Sequence, residues 1–120
     1  MIAAKAALEK HAEDVAILDV GALSSVTSFF VIGTAESQHQ LQAVAEEIQD
    51  AFQRHGQRVW HIEGATEHDA SGAAHRSGIS WVLIDGGDVV IHLFNPPGRT
   101  FYSLERLWAD APRIPLETHV

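Results

Sequence analysis

The chain has 120 residues, of which 46% are hydrophobic and 20% are charged, and it contains no cysteine. This length predicts a single domain that can bury an ordinary apolar core. The absence of cysteine excludes thiolate nucleophiles, iron–sulfur clusters and zinc sites built from cysteine, and it is typical of a reducing compartment.

The charge balance points to a basic partner. Eight Lys and Arg residues stand against 16 Asp and Glu residues, so the formal net charge is -8. Direct binding to nucleic acid needs clustered basic residues and is not expected. No run approaches the roughly 18 consecutive apolar residues that cross a bilayer, and the segment from Met1 to Asp14 lacks the features of a signal peptide. We therefore expect a cytoplasmic protein without membrane contact.

The first half of the chain predicts two helices and two strands. Good helix formers fill residues 2–13, and aliphatic residues then favour strands over Val15–Val20 and Phe29–Gly33, which we expect to pair. Apolar residues at helical spacing predict a long helix over Ser37–His55, with Gly56 in position to end it. The start of this helix carries a capping-box pattern.

A strand and a long loop follow. Residues Arg58–Glu63 alternate as a strand does, and we assign Trp60, like Phe52 of the preceding helix, to the core. The stretch from Gly64 to Gly78 is rich in Gly, Ala, Ser and His, and has no usable period. A loop of this length is uncommon inside a compact domain, so we expect it to be either mobile or functional.

The clearest supersecondary signal is a hairpin. Ile79–Ile84 and Val89–Phe94 flank the turn sequence Asp85–Asp88, whose two central glycines can adopt positive φ angles. The alternation of strands and helices with this closing hairpin predicts an α/β domain with a mixed β-sheet and flanking helices.

After the hairpin, Asn95–Gly98 is expected to break the strand, and Thr100 can cap a helix over Phe101–Trp108. A helix this short needs tertiary packing, so we expect its apolar stripe to lie beside the hairpin. Two further prolines predict an irregular tail over residues 112–120.

The hairpin has two chemically different faces, because side chains alternate along a strand. The aliphatic face belongs to the core and consists of Val82, Ile84, Val89, Ile91 and Leu93. The other face mixes aromatic, ionisable and aliphatic groups and consists of Trp81, Leu83, Asp85, Val90, His92 and Phe94. We expect Trp81 to lie opposite His92 across the strands. The mixed face is either a second packed layer or a surface for a partner.

No constellation of residues indicates catalysis. The chain has no G-x-S-x-G elbow, no G-x-G-x-x-G loop and no Walker-type loop. Asp85 and Asp88 are three residues apart around a turn tip, which favours a role in shaping the hairpin over a two-metal site. The histidines that could be considered as ligands show no recognisable metal-binding spacing; they are His55, His61, His68, His75 and His92. We expect no catalytic residues, no cofactor and no metal.

Several segments, in order along the chain, resemble the family of ribosomal silencing factors, RsfS, also called the Iojap family. They are Ile17–Val20, Leu23–Thr27, Phe29–Ile32, Trp81–Asp85, Gly87–His92 and Phe101–Trp108. The resemblance runs from Ala7 to Ala111, so we assign residues 1–111 to an RsfS-like domain. This chain departs from the usual pattern at Ser28, at Gly86 and in its longer loop.

The resemblance implies a nucleotidyltransferase-like fold without nucleotidyltransferase activity. Family members bind ribosomal protein L-fourteen of the large subunit and obstruct joining of the small subunit, which holds translation down when nutrients are scarce. The implied mechanism is steric occlusion. An acidic protein that docks on a basic ribosomal protein also agrees with the charge balance.

Carried over position by position, the resemblance implies a set of partner-binding residues. The set is Trp81, Asp85, His92, Phe101, Tyr102, Leu104, Glu105 and Trp108. The sequence leaves open which of them contact the partner and which belong to the core. It also leaves open a homodimer in which two copies share this patch until the ribosome competes for it.

Two other functions stay open at this point. One is a nucleotide-binding enzyme that uses the same fold, which would need a pocket lined by converging carboxylates. The other is a histidine-dependent metal-binding protein.

Overall fold

The structure is a computed structural model that describes residues 1–25, 27–65, 80–103, 106 and 109–115, and only the backbone of residues 65, 101 and 102. Within these ranges the helices are α1 (Ile2–Glu9), α2 (Gln38–Arg54) and α3 (Pro96–Tyr102). The strands are β1 (Glu13–Asp19), β2 (Phe29–Thr34), β3 (His61–Ala65), β4 (Trp81–Asp85), β5 (Val89–Phe94) and β6 (Arg113–Ile114).

The described strands form one six-stranded sheet in the order β3-β4-β5-β2-β1-β6. β2 and β5 run parallel at the centre, and all other neighbours run antiparallel. The predicted α/β domain with a mixed sheet is therefore confirmed, as are the pairing of β1 with β2 and the β4–β5 hairpin. The nucleotidyltransferase-like assignment stays a prediction.

Helices α1 and α2 pack together on one face of the sheet and enclose the main core. The amphipathic pattern of α2 explains its position, because its apolar stripe is buried while its acidic face is in solvent. The largest buried side chains of this core are Leu41, Val44, Ile48 and Phe52 of α2 with Ile84, Ile91 and Leu93 of the hairpin.

The ends of α2 are also as predicted. Ser37 caps its start, where the Ser37 Oγ accepts a hydrogen bond from the Gln40 amide at 3.1 Å. Gly56 follows the helix with φ at 68°.

Helix α1 is shorter than the sequence predicted. It ends at Glu9, and His11 adopts a φ of 65°, which turns the chain directly into β1. The buried face of α1 consists of alanines, namely Ala3, Ala4, Ala6 and Ala7. Small side chains of this kind allow α1 to lie close to α2, whereas Leu8 is exposed.

The register of the hairpin differs from our expectation by two residues. Trp81 pairs with Phe94, and His92 pairs with Leu83. The Gly86 amide donates to the Val89 carbonyl at 2.8 Å, so the turn is centred one residue later than the two glycines imply. The prediction that Trp81 faces His92 directly was therefore wrong, although both side chains lie on the same face of the sheet.

Helix α3 begins earlier than predicted. Asn95 is its N-cap, and its Oδ1 accepts a hydrogen bond from the Gly98 amide at 2.9 Å. Pro96 at the first helical position needs no amide hydrogen and has a φ suited to a helix, so it starts the helix instead of breaking the chain. The helix ends at Tyr102 because Ser103 is left-handed, with φ at 46°. The predicted helix start at Phe101, with Thr100 as its cap, was wrong.

The assignment of Trp60 to the core was also wrong. Phe52 is fully buried as expected, but the Trp60 side chain is 68% exposed. Trp60 directly precedes β3, which lies at the edge of the sheet, and α2 contacts β4 and β5 further in. The helix therefore does not reach far enough to cover it.

Two predicted irregular segments contribute strands. Gly64 and Ala65, the first residues of the predicted loop, complete β3, and the rest of that loop lies outside the described residues. In the predicted tail, Arg113 and Ile114 form β6, which pairs with β1.

We expect Gly86→Ala to lower the free energy of unfolding by about 1–3 kcal/mol, the cost of overpacking a well-packed core. A Cβ at this position would lie 2.6 Å from Cε2 of Phe52, which is itself immobilised in the main core. Urea denaturation measures the change. Gly21→Ala is the matched control, because a Cβ there meets ordinary contacts of 3.4 Å or more. Equal stability of the two variants would contradict the packing described at Gly86.

Candidate functional site

The sheet face opposite α1 and α2 carries the residues that the sequence singled out on the hairpin. We call it the β4–β5 face. It consists of Trp81, Leu83, Asp85, Val90, His92 and Phe94, with Phe30 of β2 alongside. The alternation of β4 and β5 places these side chains together, because the same strands bury Val82, Ile84, Ile91 and Leu93 under the helices.

The β4–β5 face is buried on one side and open on the other. Phe94 is fully buried in a small second core with Leu18, Val20, Ile32 and Ala111. Trp81 and Phe30 pack against the edge of this cluster and are half-buried. Leu83 and Val90 are also half-buried. The packed-layer alternative therefore holds for the buried part of the face, and the partner-surface alternative stays a prediction for the open part.

Phe30 is a member of this face that the sequence analysis missed. Its ring lies edge-to-face against His92, with the centroids 4.9 Å apart and the planes at 72°. The contact exists because β2 pairs in parallel with β5, which places Phe30 beside Val90 and Ile32 beside His92. The aliphatic and aromatic composition of β2 indicated a strand but gave no signal of which strand would be its neighbour.

His92 occupies an unusual position for an ionisable residue. The side chain is only 9% exposed, and in the described part of the chain neither ring nitrogen has a hydrogen-bond partner. Phe94 lies nearly parallel to it, with the ring centroids 6.3 Å apart. Burial lowers the pKa of His92 from 6.5 to about 4, because the protonated ring would lose its hydration. The histidine is therefore neutral at pH 7 and forms part of an aromatic layer beneath the surface.

Asp85 sits at the end of β4, where its carboxylate shapes the turn. Its Oδ1 accepts a hydrogen bond from the Gly87 amide at 2.8 Å, and Gly87 has a φ of 87°. The structural role predicted for this aspartate is confirmed. The side chain is half-buried, so it also borders the β4–β5 face. Its cross-strand neighbour in β3 is His61, which forms an ion pair with Glu63 at 3.1 Å when protonated.

The remaining predicted site residues lie on or after α3. Asn95 fixes the start of this helix relative to the sheet, since its Oδ1 also accepts a hydrogen bond from the Ser80 amide at 3.0 Å. Arg99 ties the helix to the other half of the sheet by donating to Thr34 Oγ1 at 2.8 Å and to the Asp14 carbonyl at 2.7 Å. Phe101 and Tyr102 form the last residues of α3, and their backbone alone is described. Leu104, Glu105 and Trp108 lie outside the described residues.

The chemistry available on this face suits binding. In the described ranges, no three His, Asp or Glu side chains come together in a way that could hold a metal ion. The helices of those ranges also lack the combination of length and hydropathy that crossing a membrane requires. The open part of the face presents two aromatic and two aliphatic side chains bordered by an acidic group, a composition typical of protein-binding surfaces.

Comparison with known proteins shows the family of this chain. Residues 1–120 match the family described as "Ribosomal silencing factor during starvation", RsfS. The chain is 40% identical to the ribosomal silencing factor RsfS of Bacillus subtilis, over 97% of this chain and 89% of that protein. The chain belongs to the RsfS family. The expected resemblance is thereby confirmed.

A chloroplast relative and a solved bacterial structure are also similar to this RsfS-family chain. It is 39% identical to the chloroplast protein Iojap of Arabidopsis thaliana, over 94% of this chain and 42% of that protein. The crystal structure of a protein from Bacillus halodurans superposes with a TM-score of 0.73 at 35% identity, covering 96% of this chain and 94% of the other. The fold is therefore shared with a solved structure over nearly the full length. The names of the bacterial relatives describe a regulatory role.

We expect His92 to make folding sensitive to mild acid. Between its ordinary pKa of 6.5 and its folded pKa of about 4, the unfolded chain binds a proton at His92 that the folded chain does not. Stability therefore falls as the pH decreases through this window, and His92 accounts for about 2 kcal/mol of the loss between about pH 7 and about pH 5. His92→Phe keeps an aromatic ring beside Phe30 and Phe94. It should remove the part of the acid-induced loss of stability that is due to His92.

Urea denaturation of the wild type and the variant at both pH values measures the difference. The same replacement at the exposed His39 is the control, and its pH dependence should follow that of the wild type. Parallel pH profiles for the wild type and His92→Phe would show that burial does not keep this histidine neutral.

Proposed function

We propose that this chain binds the large ribosomal subunit through ribosomal protein L-fourteen and thereby blocks joining of the small subunit, which represses translation. The proposal includes a cytoplasmic location and no catalytic step. The observation that carries it is the match to the RsfS family along residues 1–120, together with relatives named ribosomal silencing factors.

We propose the β4–β5 face as the contact surface. Helices α1 and α2 cover the opposite face, whereas Trp81, Leu83 and Val90 are half-buried and therefore available to a partner. Half-buried aromatic and aliphatic side chains on a rigid sheet lose little conformational entropy on binding, which makes them effective anchors. Asp85 lies at the border of this group and contributes a polar rim.

His92 supports this surface from beneath. Because the side chain is 9% exposed, its direct contact area with a partner is small. It packs against Phe30 and Phe94, and its replacement by a small residue would let these two rings shift. We therefore propose a supporting role for His92 in place of the contact role that the resemblance implied.

The residues on and after α3 complete the proposed surface. α3 begins directly after β5 and contacts this strand, which carries part of the β4–β5 face. We propose contact roles for Phe101, Tyr102, Leu104, Glu105 and Trp108 on the strength of the family resemblance.

Charge favours the encounter between this chain and a basic ribosomal protein. A net charge of -8 creates an attractive field that raises the association rate, and this effect decreases with salt. Affinity then depends mainly on the buried apolar anchors. A bound domain of this size blocks the small subunit by occupying its contact surface, so no bond needs to be made or broken.

We expect Trp81→Ala to weaken binding to large subunits by at least about fivefold, or more than about 1 kcal/mol, as truncation of an interface aromatic does. Tyr102→Ala should have an effect of the same order. Cosedimentation of the chain with purified large subunits over a concentration series measures the affinity. Trp60→Ala is the matched control, because it removes an exposed tryptophan that lies outside the β4–β5 face.

A light-scattering assay of subunit joining tests the functional step. The wild type should slow joining, and Trp81→Ala should require at least about fivefold more protein for the same inhibition. If folded Trp81→Ala binds and inhibits as well as the wild type, the proposed contact surface is wrong. If the wild type neither cosediments nor slows joining, the proposed function is wrong.

A further inference from the structure

Two of the eight basic residues of the chain border one open cavity. The cavity has a volume of about 460 Å³, and it is lined by Asp14 and Val15 of β1, Arg99 of α3 and Arg113 of β6. In a molecule of net charge -8, two guanidinium groups at the same open space are unusual. The proposed docking of the β4–β5 face assigns no role to this cavity.

Arg99 is held in a fixed position at the cavity. One terminal guanidinium nitrogen donates to Thr34 Oγ1 at 2.8 Å, and the other donates to the Asp14 carbonyl at 2.7 Å. Thr34 is 4% exposed, so Arg99 is anchored on a buried side chain. Asp14 lies where the register between β1 and β2 shifts, and its φ is 50°. Irregularities of this kind are frequent next to functional sites. The guanidinium is placed before a ligand arrives, which lowers the entropy cost of binding.

The cavity lies on the same side of the sheet as the β4–β5 face. Thr34 follows Ile32 by two positions along β2, and Arg113 pairs with Leu18 of β1. Ile32 and Leu18 both belong to the small second core on that side. β1 is two strands away from β5, which is roughly 10 Å at the usual strand spacing. When a partner covers the β4–β5 face, groups next to that partner are therefore close enough to reach the arginines.

We propose that this cavity binds a phosphate group of the ribosomal RNA beside the protein on which the β4–β5 face docks. The inference rests on the proposed function, because that function brings the chain to the large subunit. Guanidinium groups donate paired N–H groups to phosphate oxygens, and such charge-assisted hydrogen bonds are among the strongest. The acidic bulk of the chain suits a basic protein, whereas the two arginines suit the RNA that surrounds such a protein on a ribosome.

The two arginines hold a phosphate only when another contact delivers it. Arg113 is exposed, and exposed ion pairs contribute little because water and salt screen them. A free phosphate ion or an isolated RNA is therefore bound weakly, in agreement with the expectation that this chain does not bind nucleic acid by itself. Docking of the β4–β5 face raises the effective concentration of a nearby RNA phosphate, so the same contact then adds to the affinity.

The salt dependence of binding to large subunits tests the proposal, because each phosphate contact releases counterions from the RNA. Arg113→Gln should reduce the slope of log affinity against log salt by about 0.7–0.9, and it should weaken binding about four- to fivefold at roughly 0.15 M salt. Cosedimentation at constant magnesium measures both quantities. Lys5→Gln is the matched control, since it removes one exposed positive charge from α1 on the other side of the sheet. Its slope should equal that of the wild type.

Asp14 offers a second variant with the opposite effect. Its exposed side chain borders the cavity, so its carboxylate repels a phosphate there. Asp14→Asn keeps the size of the side chain, and asparagine tolerates the positive φ at this position. This variant should strengthen binding to large subunits about twofold, whereas the same replacement at the exposed Asp50 of α2 should not. A purely structural role of the arginines predicts no such gain.

Two further measurements separate an RNA phosphate from other anions. The wild type and Arg113→Gln should bind isolated ribosomal protein L-fourteen equally well, because that sample contains no RNA. Isothermal titration of the wild type with inorganic phosphate should show no saturable binding up to about 10 mM. Circular dichroism and thermal unfolding verify that each variant folds.

If Arg113→Gln keeps the salt dependence of Lys5→Gln, the inference is overturned and the proposed function stands. An equal loss of affinity for the isolated ribosomal protein also overturns it, because the arginines then contact protein. Saturable binding of inorganic phosphate that Arg113→Gln abolishes would assign the cavity to a free anion instead. A wild type that binds neither large subunits nor the ribosomal protein overturns the proposed function, and the inference with it.

Discussion

The parallel pairing of β2 with β5 is the contact on which the rest of the structure depends. It joins an antiparallel unit of β6, β1 and β2 to an antiparallel unit of β5, β4 and β3, and the second unit lies between β2 and β6 in the chain. Its register places Val31 beside Ile91 under the helices and Ile32 beside His92 on the other face. One set of backbone hydrogen bonds thereby aligns the main core on one side of the sheet and the aromatic layer on the other.

This arrangement provides what the proposed role as a steric obstacle requires. α1 and α2 stabilise the sheet from the side opposite the β4–β5 face, which holds this face rigid. The fully buried Phe94 and the neutral His92 support the half-buried residues above them. In the proposed complex, a preorganised apolar face within a molecule of net charge -8 would combine long-range attraction to a basic protein with short-range affinity.

Features governed by local sequence were predictable, and features governed by distant contacts were not. The capped amphipathic pattern fixes α2 within one residue at each end, and the alternation of β4 and β5 assigned their faces correctly even though the register was off by two residues. Trp60 resembles a core residue by type, but its exposure depends on how far α2 extends across the sheet. Phe30 joins the candidate site only through the parallel pairing with β5, which no periodicity of β2 reveals.

Cryo-electron microscopy of this chain bound to large ribosomal subunits tests the central claim most directly. The account predicts that the β4–β5 face, with Trp81 near its centre, lies against ribosomal protein L-fourteen, while α1 and α2 face away from the subunit. A complex in which the helices make the contact and Trp81 points to solvent, or one in which the chain binds elsewhere on the subunit, would contradict it.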